Sequence, residues 1–137
     1  MKKWILSLAF LMILSGCMEN GIEIPDLGAF PIGVWEVQSQ QEDGKTLSSR
    51  SSLPENTFGY IFQPNGRMVN RSINGFCGTP PVITADFPGT WTRSGDTIRV
   101  NMRFWGGTIQ EEWKIIQSTN STVQLEILRS TYTYDFD

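Results

Sequence analysis

Thr97-Ile98-Arg99-Val100-Asn101-Met102-Arg103-Phe104 is the stretch whose reading decides the fold. Ile98, Val100, Met102 and Phe104 share one parity; Thr97, Arg99, Asn101 and Arg103 share the other. Successive side chains on a strand point to opposite faces, so this is a strand with one face in a core and one in water. Ser94-Gly95-Asp96 before it and Gly106-Gly107 after it are turn signals, since glycine accepts positive φ without steric cost. The same grammar continues in both directions. Thr108 to Gln117 and Thr122 to Arg129 read as strands joined across Ser118-Thr119-Asn120. Thr131 to Phe136 sets Tyr132, Tyr134 and Phe136 on one parity. Upstream, Gly33 to Gln40, Asn56 to Gln63, Arg67 to Ile73, Pro80 to Phe87 and Gly89 to Arg93 read as strands, with Pro64-Asn65-Gly66 as a turn. Residues 41–56 read as the one long connection, and long loops in compact domains are often functional. No segment after residue 17 has a helical period. Eight or nine sequential strands predict an all-β protein, a small antiparallel up-and-down barrel, because closure removes exposed edges. A sandwich is the alternative.

The 137 residues suit one domain. Lys+Arg is 11 against Asp+Glu 14, and a mildly acidic chain is a poor nucleic-acid binder, because phosphate affinity comes from clustered basic residues. Histidine is absent, which excludes His-dependent triads, His metal sites and imidazole acid–base catalysis. Two cysteines make neither a disulfide scaffold nor a zinc knuckle. No acidic cluster has calcium-loop spacing, and no glycine-rich turn opens a helix to cradle phosphate. The expectation is a noncatalytic protein with no cofactor and no metal.

Residues 1–17 read MKKWILSLAFLMILSGC. Lys2 and Lys3 precede an apolar run from Ile5 to Leu14 that is shorter than the ~20 residues a membrane span needs and fits a signal-peptide core. Leu14-Ser15-Gly16-Cys17 resembles the lipobox of bacterial lipoproteins at all four positions. That resemblance implies removal of residues 1–16 as a lipoprotein signal peptide and acylation of Cys17. Two or more acyl chains hold a protein stably on a membrane without spanning it. Met18, rather than an aspartate, follows the cysteine, and by the same resemblance this favours the outer membrane, on either face. Residues 17–31 form the lipidated cysteine and spacer, and residues 32–137 the domain.

Gly33-Val34-Trp35 looks like the G-x-W element of lipocalins. Tyr60-Ile61-Phe62-Gln63-Pro64-Asn65-Gly66 is similar to the hairpin of bacterial lipocalin-like domains; Gly89-Thr90-Trp91, Asp96-x-Ile98 and Trp113-x-Ile115 follow in order. Together they resemble the small lipocalin-like lipoproteins of Bacteroidetes-type bacteria over roughly residues 31–130. The resemblance implies a barrel that binds a small apolar or amphipathic ligand. The alternative is a filled barrel serving as a protein-interaction module, an inhibitor or an accessory subunit of an envelope complex.

Parity nominates the candidate site. Arg71 goes with Val69 and Ile73, Arg93 with Trp91, Glu111 with Ile109 and Trp113, and Arg129 with Val123, Leu125 and Ile127. Four inward charges are costly in a dry core and fit a polar patch at a barrel mouth that grips an anionic amphipathic ligand. The alternative places them at strand ends in water. Trp105, before Gly106-Gly107, breaks the alternation and is a candidate binding anchor. Trp35, Trp91 and Trp113 read as core. Cys77, in Phe76-Cys77-Gly78-Thr79-Pro80, reads as a small buried residue, with a reactive thiol as the other reading. In a Cys17→Ala chain the precursor is expected to remain uncleaved and to take up no fatty-acid label; normal labelling removes the lipoprotein reading.

Overall fold

The computed structural model describes residues 30–75 and 83–136. The lipobox, most of the spacer and Cys77 lie outside the described residues. The described chain is strand and turn: β1 Gly33–Gln40, β2 Gly44–Arg50, β3 Gly59–Phe62, β4 Arg67–Ile73, β5 Thr84–Ser94, β6 Thr97–Phe104, β7 Gly107–Ser118 and β8 Thr122–Tyr134. All pairings are antiparallel, and the sheet closes in the order β1-β2-β8-β7-β6-β5-β4-β3, with β3 returning to β1.

Three expectations change. Residues 41–56 are not one loop: they contain β2, which pairs with β1 on one side and β8 on the other and so closes the barrel. The segments expected at 80–87, from Thr84 on, and at 89–93 lie in one strand, β5, continuous through Pro88, and those at 122–129 and 131–136, as far as Tyr134, lie in one strand, β8. Finally, the order is a meander except at one step, because β2 and β3 flank β1 rather than each other. Residues 51–58 make that step across the outer surface. Tyr60 and Phe62 point inward, so the missing side chain of Gly59 points out, where the Leu53 side chain lies. A Cβ at Gly59 would collide with the Trp35 carbonyl oxygen, backbone that cannot give way, and would also sit 2.6 Å from Leu53 Cδ2, which is why the position takes glycine.

The core confirms the deciding stretch: Ile98, Val100, Met102 and Phe104 are all buried. One barrel end is packed solid. Phe30 seals it, edge-on to Trp35 at 5.1 Å and to Phe62 at 5.4 Å between ring centroids. Above these lie Trp113, fully buried, with Leu47, Ile98, Val123 and Leu125. Trp35 Nε1 donates to the Pro31 carbonyl at 2.8 Å, and Arg93 Nη1 to the Phe30 carbonyl at 2.6 Å. These two bonds strap the segment before β1 beneath the barrel, and Phe30 is part of the core.

Among the described residues three bulges shift the register, one in β1 between Val37 and Ser39 and two in the β7–β8 pair. β8 carries one extra residue opposite β7: Ile127 pairs with Trp113, but Arg129, not Leu128, pairs with Glu112. From there up the inward residues of β8 are Ser130, Tyr132 and Tyr134, which pair with inward Glu111, Ile109 and Gly107. Because Leu47 is fully buried on β2, Leu47→Ala is expected to cost about 2–5 kcal/mol in denaturant unfolding, as core deletions do. A change under about 0.5 kcal/mol, typical of a surface loop, would refute its place in the barrel wall.

Candidate functional site

The interior above Trp113 holds a buried ion pair and leaves a cavity over it. Lys45 on β2 and Glu111 on β7 meet there, Nζ to Oε2 at 2.9 Å, with side chains 2% and 3% exposed. Lys45 also donates to the Tyr60 hydroxyl at 2.7 Å and lies 4.6 Å from the Trp113 ring centroid. Glu111 accepts from Trp113 Nε1 at 2.6 Å and from Ser130 Oγ at 3.2 Å. The pair is thus fully hydrogen-bonded, the condition under which buried charges are tolerated. Burial alone would push the Lys45 ammonium down; the Tyr60 oxygen and the Glu111 carboxylate outweigh it and hold its pKa above the ordinary 10.5. Lys45 is therefore charged at neutral pH.

This network floors a cup of about 210 Å³ that opens at the end opposite Phe30. Val37, Met102, Phe104 and Ile109 give it apolar walls, and Trp105 and Tyr132 stand at the mouth. Burial and then the Glu111 charge push the Tyr132 phenol up, so it stays a neutral donor. Two polar atoms near the floor face a guest. Tyr60 accepts from Lys45, which leaves its own proton unspent. Asn70 spends Nδ2 on the Arg103 carbonyl at 3.0 Å, which leaves Oδ1 without a bond among the described residues. A wider hollow, about 390 Å³, is an open saddle on the outer faces of β5 to β8, lined by Thr90, Thr92, Asn101 and Gln110. It lies on the outside of the wall, whereas the cup lies inside the barrel over a buried ion pair, so the cup is the candidate site.

The residues nominated by parity scatter. Glu111 does face inward and Trp105 does border the cup. Arg71 touches the rim, but Met68 and Asn70 are the inward residues of β4, and the Arg71 guanidinium turns outside. There it holds Asp86 at 2.6 Å and 3.0 Å and donates to the Leu53 and Pro54 carbonyls. Hydrogen bonding from Arg71 holds the Asp86 carboxyl below its usual range. Arg93 has inward parity but lies at the sealed end, spent on Phe30 and Gly95 carbonyls. Arg129 is turned outward by the extra residue in β8 and lines the outer saddle. The shared inward patch of Arg71, Arg93, Glu111 and Arg129 does not form. Lys45 was missed, because it lay in a segment read as loop. Its signal was indirect: an inward-parity Glu111 requires a buried cation.

The sequence pattern of the lipocalin-like domain family matches residues 32–125, more than half of the chain, which takes in all of β1 to β7 and the first residues of β8. The chain belongs to the lipocalin-like domain family. No similar curated protein and no similar solved structure was found. Membership accounts for the closed antiparallel barrel and fits ligand binding in general; the Lys45–Glu111 floor is read from this chain's own geometry.

Lys45→Met strands the Glu111 charge and is expected to cost about 3–5 kcal/mol, with Lys45→Met/Glu111→Leu recovering most of it. The raised pKa of Lys45 carries a sign. Its stabilisation is complete below about pH 10.5, the unfolded value, and is lost as pH rises through the folded one. Urea unfolding at stepped alkaline pH should show that loss in the parent and a shallower one in the double variant. Equal slopes would contradict the buried pair.

Proposed function

We propose that this is a membrane-tethered ligand-binding barrel that holds a small neutral amphipathic molecule in the cup, without catalysis. The observation that carries the reading is the cavity over the ion pair: apolar walls over a floor whose charges cancel. The cup measures about 210 Å³. That lies below the ~300–1,000 Å³ of sites for drug-sized ligands, so the guest is small. Because Glu111 neutralises Lys45, an anionic head would find no spare cation and would bear the cost of an unpaired buried charge. The Tyr60 proton and Asn70 Oδ1 instead offer one donor and one acceptor, a match for an alcohol or amide, with the aromatic mouth taking a flat or alkyl tail. Neither Lys45 nor Glu111 is free for proton transfer, which favours binding over chemistry. The Cys17 lipid anchor would hold the cup at the cell envelope, on the outer membrane.

Benzyl alcohol and benzoate test the reading by titration calorimetry. A ligand of ~8 non-hydrogen atoms is expected to bind with a dissociation constant in the micromolar to millimolar range. The alcohol should bind at least about tenfold tighter than the carboxylate, which must shed its water without a partner. Ile109→Trp, which fills the cup, should abolish binding while the barrel spectrum persists. Unchanged binding in that variant, or tighter binding of benzoate, would contradict the proposal.

A further inference from the structure

The upper part of β8 stands clear of the wall that the rest of the strand completes. β2 covers β8 only over Thr122 to Glu126, and the Ile127 amide makes the last bond on that side, to the Asp43 carbonyl. From Leu128 to Tyr134 β8 continues for seven residues, paired with β7 through Gly107. Its other edge has no backbone partner among the described residues. This run is exposed throughout, and it carries Leu128, Tyr132 and Tyr134, three of the large apolar side chains left at the surface, with Phe136 just beyond. A row of unpaired amides and carbonyls is a template for another strand, and natural edges are usually blunted by lysine, proline or inward charge. Residues 130–134, STYTY, contain none of these and are rich in strand-forming types.

We infer that this edge pairs with the same edge of a second copy, joining two barrels through an antiparallel, two-fold β8–β8 contact. The sequence is self-complementary in that arrangement. With the axis at Thr131, Thr131 meets itself, Ser130 meets Tyr132, Arg129 meets Thr133 and Leu128 meets Tyr134. Arg129 is the one charge in the run, and it faces a threonine, so no like charges meet. A two-fold axis normal to the sheet keeps cup-side residues on one face. Tyr132 then lies diagonal to Tyr132 of the second copy, within the ~7–8 Å reach of aromatic neighbours across strands. Residues 18–29 of the same chain are the competing occupant, but Pro25 there lacks an amide to donate, and Gly21 and Gly28 weaken a strand. The inference is independent of what the cup binds.

Cysteine cross-linking of the full chain in membranes tests it. Directly opposed residues in antiparallel strands have Cα atoms ~4.5–5.5 Å apart, within disulfide range. Thr131→Cys should therefore give a covalent dimer under mild oxidation. Gln110→Cys, exposed on the outer saddle, should give none, and neither should the parent. The Asp135 amide bonds the Gly106 carbonyl, so by alternation the amides of Ser130, Tyr132 and Tyr134 face the open edge. Sedimentation of the detergent-solubilised chain should show a dimer that becomes a monomer in Tyr132→Pro, with the β7 ladder intact and the thermal midpoint little changed. Three results would each overturn the inference. One is a parent monomeric from micromolar to millimolar concentration. Another is cross-linking of Thr131→Cys no greater than that of Gln110→Cys. The third is a dimer that appears only when residues 18–29 are deleted, which would show that they occupy the edge.

Discussion

The ion pair between Lys45 and Glu111 divides the barrel. Below it, aromatic and branched side chains fill the space as a small core must; above it, the walls stand apart. A buried charge pair is a poor way to gain stability, because taking two ions from water costs about as much as their attraction returns. It is an effective way to hold two walls at one register. Lys45 comes from β2 and Glu111 from β7, two strands that both pair with β8 and not with each other. A slip of one residue in either strand would bury a charge without its partner, at a cost of several kcal/mol. The pair therefore selects one closure of the barrel, and the cup above it follows from that closure.

The other devices serve the same closure. Gly59 admits Leu53, which lets the 51–58 connection lie flat on the outside while β3 reaches the far side of β1. Arg93 and Trp35 tie down the backbone that carries Phe30, the plug of the sealed end. The extra residue in β8 brings Ser130 round to Glu111 and Tyr132 to the mouth. Each feature is local, and each decides whether one end is shut and the other open.

Much of this was legible from residue order, and the failures have physical causes. Strands with one wet face, such as Thr97 to Phe104, announce themselves by alternation. β2 does not: in GKTLSSR the only apolar side chain is Leu47, and the inward Lys45 looks like a solvated residue until its partner is known. Arg129 was misplaced because a bulge is invisible to a strict period of two, and one extra residue reverses every face beyond it. Arg71 was grouped correctly with Val69 and Ile73, but that face of β4 is the outer one, and Met68 and Asn70 hold the inner. Hydrophobicity alone did not separate the two faces of a strand with apolar residues on both. The cup itself could not be read from sequence, since it is a shortage of volume in three dimensions.

The division of the barrel into a filled part and an open part is tested most directly by methyl-resolved NMR during titration with benzyl alcohol. Methyl groups of Val37, Met102 and Ile109, which wall the cup, should shift together and saturate with one binding constant. Those of Ile98, Val123 and Leu125, beneath the Lys45–Glu111 floor, should stay in place. Equal shifts in both sets, or shifts confined to the lower set, would show that the ion pair does not divide the interior.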